Sequence, residues 1–333
     1  MTEDGPHTAI PRQGGRAVLT LALGRPFFIG LAINAARSFF RWHPNSDLRF
    51  TLVTDRRDLL PEDVTRRAEI VEIRPGEYGE GFSPKLHLDR LTTADRTLFM
   101  DADCLCVGPL EPVFDRFAGH AVSVVGTEPS DGEWFGDIGA RVRHFGLTAA
   151  PKFNGGVYYL EAGERCTRVY ETARGLEAHY DELGFIRLRG RPNEEPLISI
   201  AMAMHGEHAL PDDGTIHGDM ASYPYGLDLD VLGGGATMLN EPGHPRHEPL
   251  NPRSSAHPLV VHFCGYHAQR HPYPTQARRL ELAVARGWPH WLATASAGAT
   301  RTLPASVARI VKEVLRPVYR ALVGYRPMVD ERL

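Results

Sequence analysis

The chain has 333 residues, 42% hydrophobic and 23% charged, with a formal net charge of −4. This composition is ordinary for a globular protein with material for one large or two modest cores. Four cysteines, two of them alternating at Cys104 and Cys106, do not make a disulfide framework, and no run of about 18 uncharged apolar residues marks a membrane span. The opening Met1–His7 segment lacks the basic start and apolar run of a secretion signal, so a cytoplasmic protein is expected.

Taken in chain order, Arg16–Leu23 reads as a buried strand, and Gly24-Arg25-Pro26 turns it into a helix carrying Phe28, Leu31, Ala32, Ala35 and Phe39. A second strand, Leu48–Thr54, ends at Asp55, with a helix opening near Pro61. A third, Ala68–Ile73, stops at Pro75-Gly76. Pro84–Leu91 then reads as a helix and Thr97–Met100 as a fourth strand. Such alternation predicts an α/β fold with a Rossmann-like, mostly parallel, doubly wound sheet flanked by helices. Strands follow at Ala121–Val125 and at Val157–Leu160, the latter led in by Asn154-Gly155-Gly156, and helices at 164–183 and Pro196–His205. Residues 211–257 form a long Pro/Gly-rich stretch, of the kind that is usually functional or mobile. After a last strand at Leu259–Phe263, helices are expected around 276–286 and 304–325, separated by a small-residue linker, Ala293–Thr300. The expected organisation is a catalytic domain over 16–275 and a basic helical extension over 276–333.

Asp101-Ala102-Asp103, straight after the fourth strand, is the most informative segment. In extended backbone, residues two apart point to one side, so both carboxylates can meet one hard cation such as Mg²⁺ or Mn²⁺ while Ala102 stays clear. Spacing alone is weak: 19 Asp in the chain make about one such pair by chance, and a second stands at Asp228 and Asp230. Position separates the two, because ligands of open α/β sheets gather at the carboxyl ends of strands. Cys104 and Cys106 read as packing one face of the strand that follows.

Four segments, Phe99–Leu110, Phe153–Leu160, Asn193–Pro196 and Val261–Gly265, occur in the order found in glycosyltransferases of the GT-A fold. Over roughly 16–275 they resemble glycosyltransferase family 8, the glycogenin and galactosyltransferase-like group. The resemblance implies a metal-dependent transfer of sugar from a nucleotide-diphosphate sugar, a UDP-sugar by preference, with retention of anomeric configuration. It assigns Asp101, Asp103 and His262 to Mn²⁺ or Mg²⁺. A bridging metal stabilises the charge of the departing diphosphate. It places Asn154, with Gly155 and Gly156, in the donor-sugar pocket, where a tight strand lead-in explains the same residues equally well. Glu194 and then Glu195 fall near the reacting carbon, orienting an acceptor hydroxyl or stabilising oxocarbenium character; acids at a helix N-terminus are the plainer reading. Lys85 answers to a basic residue that contacts diphosphate or sugar. Gly265 lets backbone amides approach phosphate, and it shifts His262 away from a packed strand histidine. Leu23, Gly24 and Asp55, at strand ends, are placed to read base and ribose, and Ala102 of the motif is counted with them as donor-binding. One departure stands out: Ala268 occupies the place of the family's phosphate-binding lysine, leaving His267 or Arg270 to supply the charge.

Charge is uneven. Residues 270–333 carry a net +7 and the rest a net −11. Val307, Ile310, Val311, Val314 and Leu315 form a helical apolar stripe flanked by Arg309, Lys312, Arg316 and Arg320, with Pro317 as a kink. Such a helix can lie on the inner face of an anionic membrane, or pack on the body or on a second copy in a homodimer. The expected partners are a nucleotide-sugar donor and an acceptor the sequence does not define, not nucleic acid. The competing enzyme reading is a phosphatase of the haloacid dehalogenase type. It fits poorly, since its Asp-x-Asp ends the first strand. A non-catalytic sugar-nucleotide or membrane-surface binding protein of the same fold is the third reading.

Overall fold

The computed structural model describes residues 10–324. Strands β1 (Arg16–Ala22), β2 (Arg49–Thr54), β3 (Glu69–Glu72) and β4 (Arg96–Met100) alternate with helices α1 (Pro26–Trp42), α2 (Glu62–Thr65) and α3 (Leu88–Leu91). β1 pairs in parallel with β2 and β4, and β2 with β3. Burial on both faces explains why these strands read as continuous apolar runs. Val18 and Leu19 enter cores on opposite sides of the sheet. Pro26 opens α1 at its first turn, and Leu31, Ala32, Ala35 and Phe39 are its buried side.

The chain continues through β5 (Cys104–Cys106), α4 (Glu111–Arg116), β6 (Val122–Thr127), α5 (Ile138–His144) and β7 (Lys152–Glu161). β7 departs from expectation twice. It runs antiparallel to both β4 and β6, because an apolar run carries no direction and only the connections set it. It also begins at Lys152, so Asn154-Gly155-Gly156 lies inside the strand and is not its lead-in. Helices α6 (Glu164–Glu177) and α7 (Glu194–Met204) precede β8 (Leu210–Pro211), and α6 stops short of the expected 183. The large sheet has the order β3-β2-β1-β4-β7-β6-β8.

The stretch expected as a long loop holds β9 (His217–Asp219), β10 (Tyr225–Leu229), β11 (Ala236–Leu239) and β12 (Ser255–Ala256). Strands of two to five residues are too short for periodicity to reveal. β10, β11 and β12 form one small sheet; β13 (Val260–His262) lies between β5 and β9 in another. Both Cys104 and Cys106 are buried there, as expected.

Helices α8 (Tyr273–Leu280), α9 (His290–Ala297) and α10 (Leu303–Val323) complete the described chain. The boundary expected at 275 falls within α8. Leu280, Leu282 and Ala293 join the same core as α1, and Tyr273 packs edge-on against Phe263, with ring centroids 5.0 Å apart. The expected linker 293–300 is helical too, alanine being the best helix former; Ala293 and Ala297 are buried. The body thus reaches at least Ala297, and α10 is what stands apart from it. The Met1–His7 segment, residues 325–333 and the side chain of Arg309 lie outside the described residues. Among the described helices none is long and apolar enough to cross a membrane.

Candidate active site

The carboxyl ends of β1, β2 and β4, the start of β7 and the N-terminus of α7 line a cavity of about 1280 Å³. Leu23, Gly24, Asp55, Lys85, Asp101, Ala102, Asp103, Asn154, Gly155, Glu194, Glu195, His262 and Gly265 all line it. The topology therefore gathers residues as far apart in sequence as Leu23 and Gly265. Asp230 is absent from the lining. Its Oδ1 lies 2.6 Å from Arg279 and accepts the Gly233 N–H, so the second Asp-x-Asp pair is structural.

Asp101-Ala102-Asp103 is a turn and not extended backbone: the Cys104 N–H donates to the Asp101 carbonyl at 3.0 Å. The turn sends the two carboxylates to different partners. Asp101 Oδ2 lies 2.6 Å from Lys85 Nζ, whereas Asp103 Oδ1 lies 3.0 Å from His262 Nε2. Asp103 Oδ1 is buried and makes no hydrogen bond of good geometry. Against the opposing effect of burial, the Asp103 charge lifts His262 to about 9, and His262 in turn holds Asp103 below the usual carboxylate range.

The other nitrogen of that imidazole is fixed. Asn154 Oδ1 accepts the Gly156 N–H at 3.1 Å and lies 2.6 Å from His262 Nδ1. An oxygen already accepting a backbone N–H faces Nδ1 as an acceptor, so Nδ1 carries a proton and Nε2 is turned to Asp103. A carboxylate oxygen and an imidazole nitrogen 3.0 Å apart, with the oxygen otherwise orphaned, fit a small divalent cation. Cys104 Sγ lies within 4.8 Å of both ligand atoms. Burial, followed by the charges of Asp103 and Asp101, pushes its thiol far up, which leaves it a poor ligand.

Lys85 sits in a 3₁₀ turn, Ser83–His87. It reaches Asp101, Glu194 Oε1 at 3.0 Å and the Gly155 carbonyl at 3.1 Å. Burial would lower its pKa, but the two carboxylates hold it well above the usual range. Glu194 is enclosed: its side chain is 1% exposed, and Oε1 also accepts from the Tyr158 hydroxyl at 3.2 Å. Burial outweighs Lys85 and raises Glu194. Glu195 is only partly buried; Oε1 accepts the Gly155 N–H at 2.6 Å, and burial, then the charge of Glu194, lift it to about 7. Gly155 is the packing reason for the motif. A Cβ there would stand 2.9 Å from Glu194 Oε1, Glu195 Oε1 and the Tyr158 hydroxyl. At Gly156 it would meet His262 Nδ1 at 2.5 Å and His217 Nε2 at 2.6 Å.

Asp55 and Gly24, each expected at the end of its own strand, are joined: both carboxylate oxygens accept the Gly24 N–H, at 2.9 and 3.1 Å. His267 and Arg270 do not line the cavity, although Cys264 and Gly265 do. Arg270 stacks on Tyr266 at 4.4 Å and Ala268 is buried, so the segment after Gly265 sends no cation inward. Sequence reasoning missed Arg25, Phe27 and Phe28 at the opening of α1, Trp134, and the pair His217 and Asp219. Asp219 lies beside His262 in register across the β9–β13 pair. Its Oδ1 accepts the Ala221 and Ser222 N–H groups. A charged arginine straight after the glycine that follows β1 was a readable signal. A three-residue strand reading His-Gly-Asp offered none.

No known family's sequence profile matches the chain, and no curated protein sequence does. Solved structures do resemble it. The galactosyltransferase LgtC, in complex with donor and acceptor sugar analogs, superposes with a TM-score of 0.51 at 13% identity, over 85% of this chain and 95% of that one. An active-site mutant of LgtC gives 0.50 at 13% identity, over 84% and 99%. Mouse xyloside xylosyltransferase 1, as the apo form, gives 0.47 at 14% identity, over 74% and 97%. The chain has the GT-A fold, as its superposition on LgtC shows.

Proposed function

We propose that this protein is a metal-dependent glycosyltransferase that takes a sugar from a nucleotide-diphosphate sugar, preferably a UDP-sugar. The observation that carries the reading is the Asp103–His262 pair, held by Asn154 at the carboxyl end of β4 on the wall of the cavity. Charge argues for the metal as well. The cavity is lined by eleven Asp and Glu against six Lys and Arg, so a diphosphate is repelled unless a divalent cation accompanies it. Asp103 and His262 would hold Mn²⁺ or Mg²⁺, with Asp101 beside them, and the ion when bound neutralises the leaving diphosphate.

The remaining work belongs to side chains of this chain. Lys85, fixed by Glu194, keeps its positive charge next to Asp101 and faces the donor. Arg25, beside Gly24, is the second cation placed for phosphate, in the role the sequence left to His267 or Arg270. Phe27 and Phe28, on the rim and 37–38% exposed, offer faces for a base. Glu195, half ionised near neutral pH and less enclosed than Glu194, is the carboxylate placed to orient the acceptor hydroxyl. Retention follows from the family 8 resemblance. A haloacid dehalogenase-like phosphatase is not supported, since the fold is GT-A and β1 is followed by Leu23-Gly24 without a carboxylate pair.

The test is donor hydrolysis across a panel of nucleotide sugars with Mn²⁺, Mg²⁺ or EDTA. Metal-dependent release of nucleoside diphosphate is expected; its absence for every donor would leave only the binding-protein reading. Once an acceptor is found, the anomeric proton of the product by NMR decides between retention and inversion.

A further inference from the structure

We infer that α10 is a docking element for an anionic phospholipid surface. The chemistry of the helix and its exposure, not the transferase reading, carry this. Leu303, Val307, Ile310, Val311 and Val314 recur at the three- and four-residue spacing of one helix side. Together with Leu315 and Tyr319 they are 48–69% exposed. Half of the fourteen exposed large hydrophobic residues among those described lie on this one helix. The body does not cover the stripe, which removes packing on the protein's own core as its purpose. A contiguous apolar side of this size marks an interaction surface.

Charge chooses the occupant. The same helix carries Arg309, Lys312, Arg316 and Arg320 against Glu313 alone, while residues 1–269 hold a net −11. An anionic bilayer covers the apolar side and neutralises the cationic residues in one step, and it repels the acidic body. The helix then lies in the headgroup region with the body held off the surface. Pairing with the same helix of a second copy would cover the stripe but bring two cationic segments together unneutralised.

The experiment is vesicle flotation with the full chain, comparing phosphatidylcholine alone with phosphatidylcholine containing about 30% phosphatidylserine. Binding to the anionic vesicles only is expected. It should fall at least about fivefold when salt is raised from roughly 0.05 to 0.5 M. Val311→Glu with Val314→Glu, and separately Lys312→Glu with Arg316→Glu, should each abolish flotation; both pairs are exposed, and an unchanged circular dichroism spectrum and melting temperature would confirm folding. Failure to float with anionic vesicles at low salt overturns the inference, as does equal binding to neutral vesicles. A concentration-dependent dimer in sedimentation that Val311→Glu with Val314→Glu dissolves, without vesicle binding, assigns the stripe to a second copy and equally overturns it.

Discussion

Asn154 illustrates how one residue can serve in a way its motif does not announce. Its carboxamide oxygen joins the Gly156 N–H to His262 Nδ1, so it orients the imidazole that faces Asp103. Partners of this kind typically contribute 10–100-fold to metal affinity. Asn154→Ala is therefore expected to weaken Mn²⁺ binding by about that factor in calorimetry, and Asn154→Asp, which keeps the acceptor, should restore most of it. Gly155 sets a steric limit. With three oxygen atoms 2.9 Å from an added Cβ, Gly155→Ala should cost on the order of 2 kcal/mol and lower the melting temperature by several degrees. Glu195 gives a pH signature. Its folded pKa of about 7 stands above the ordinary value of 4.5. The folded state thus keeps a proton that the unfolded chain releases between those values. The associated stability is full below the unfolded pKa and is lost as pH rises through about 7. Glu195→Gln cannot ionise, so thermal melts should show it more stable than wild type at pH 8, by about 2 kcal/mol, and nearly equal to it at about pH 4.

At the scale of elements, the C-terminal helices divide sharply. α8 and α9 deliver Leu280, Leu282 and Ala293 to the core shared with α1, and Arg279 ties α8 to Asp230 at 2.6 Å. α10 presents its apolar residues to solvent. A chain ended after Thr302 should melt within about 2 °C of the full protein, whereas one ended after Pro272 exposes the core and should not fold. β7 shows the opposite lesson about legibility. Its Val157–Leu160 run was readable from hydrophobicity, but Asn154-Gly155-Gly156 interrupts that pattern, and the strand continues through it because Gly156 accepts the Asp101 N–H at 2.9 Å. A glycine with no side chain to count leaves periodicity blind, while its backbone still pairs.

For the molecule as a whole, the proposed function implies that nucleotide and metal bind interdependently, because carboxylates outnumber cations in the cavity lining. UDP with Mn²⁺ should raise the melting temperature by several degrees, in keeping with ligand linkage, and UDP with EDTA should raise it much less. Equal shifts in the two conditions would remove the electrostatic argument for a metal. Asp101→Ala should abolish metal-dependent donor hydrolysis with little loss of fold, because Glu194 still pairs with Lys85.

The residue pattern alone determined the parallel β1–β4 half of the sheet and the position of Asp101 and Asp103 at the end of its fourth strand, both of which rest on local information such as apolar periodicity, glycine turns and residue type. The candidates Asn154, Glu194 and His262 came instead from the resemblance of short segments to glycosyltransferase family 8. Tertiary structure alone decided the direction of β7, the placing of His217 and Asp219 alongside His262, and the removal of His267 and Arg270 from the cavity. It also divided the Asp-x-Asp pair, giving Asp101 to Lys85 and Asp103 to His262. Those outcomes depend on contacts between residues 16 to 159 apart in sequence, and the free energy of such contacts comes from burial and charge pairing that no local window of sequence contains.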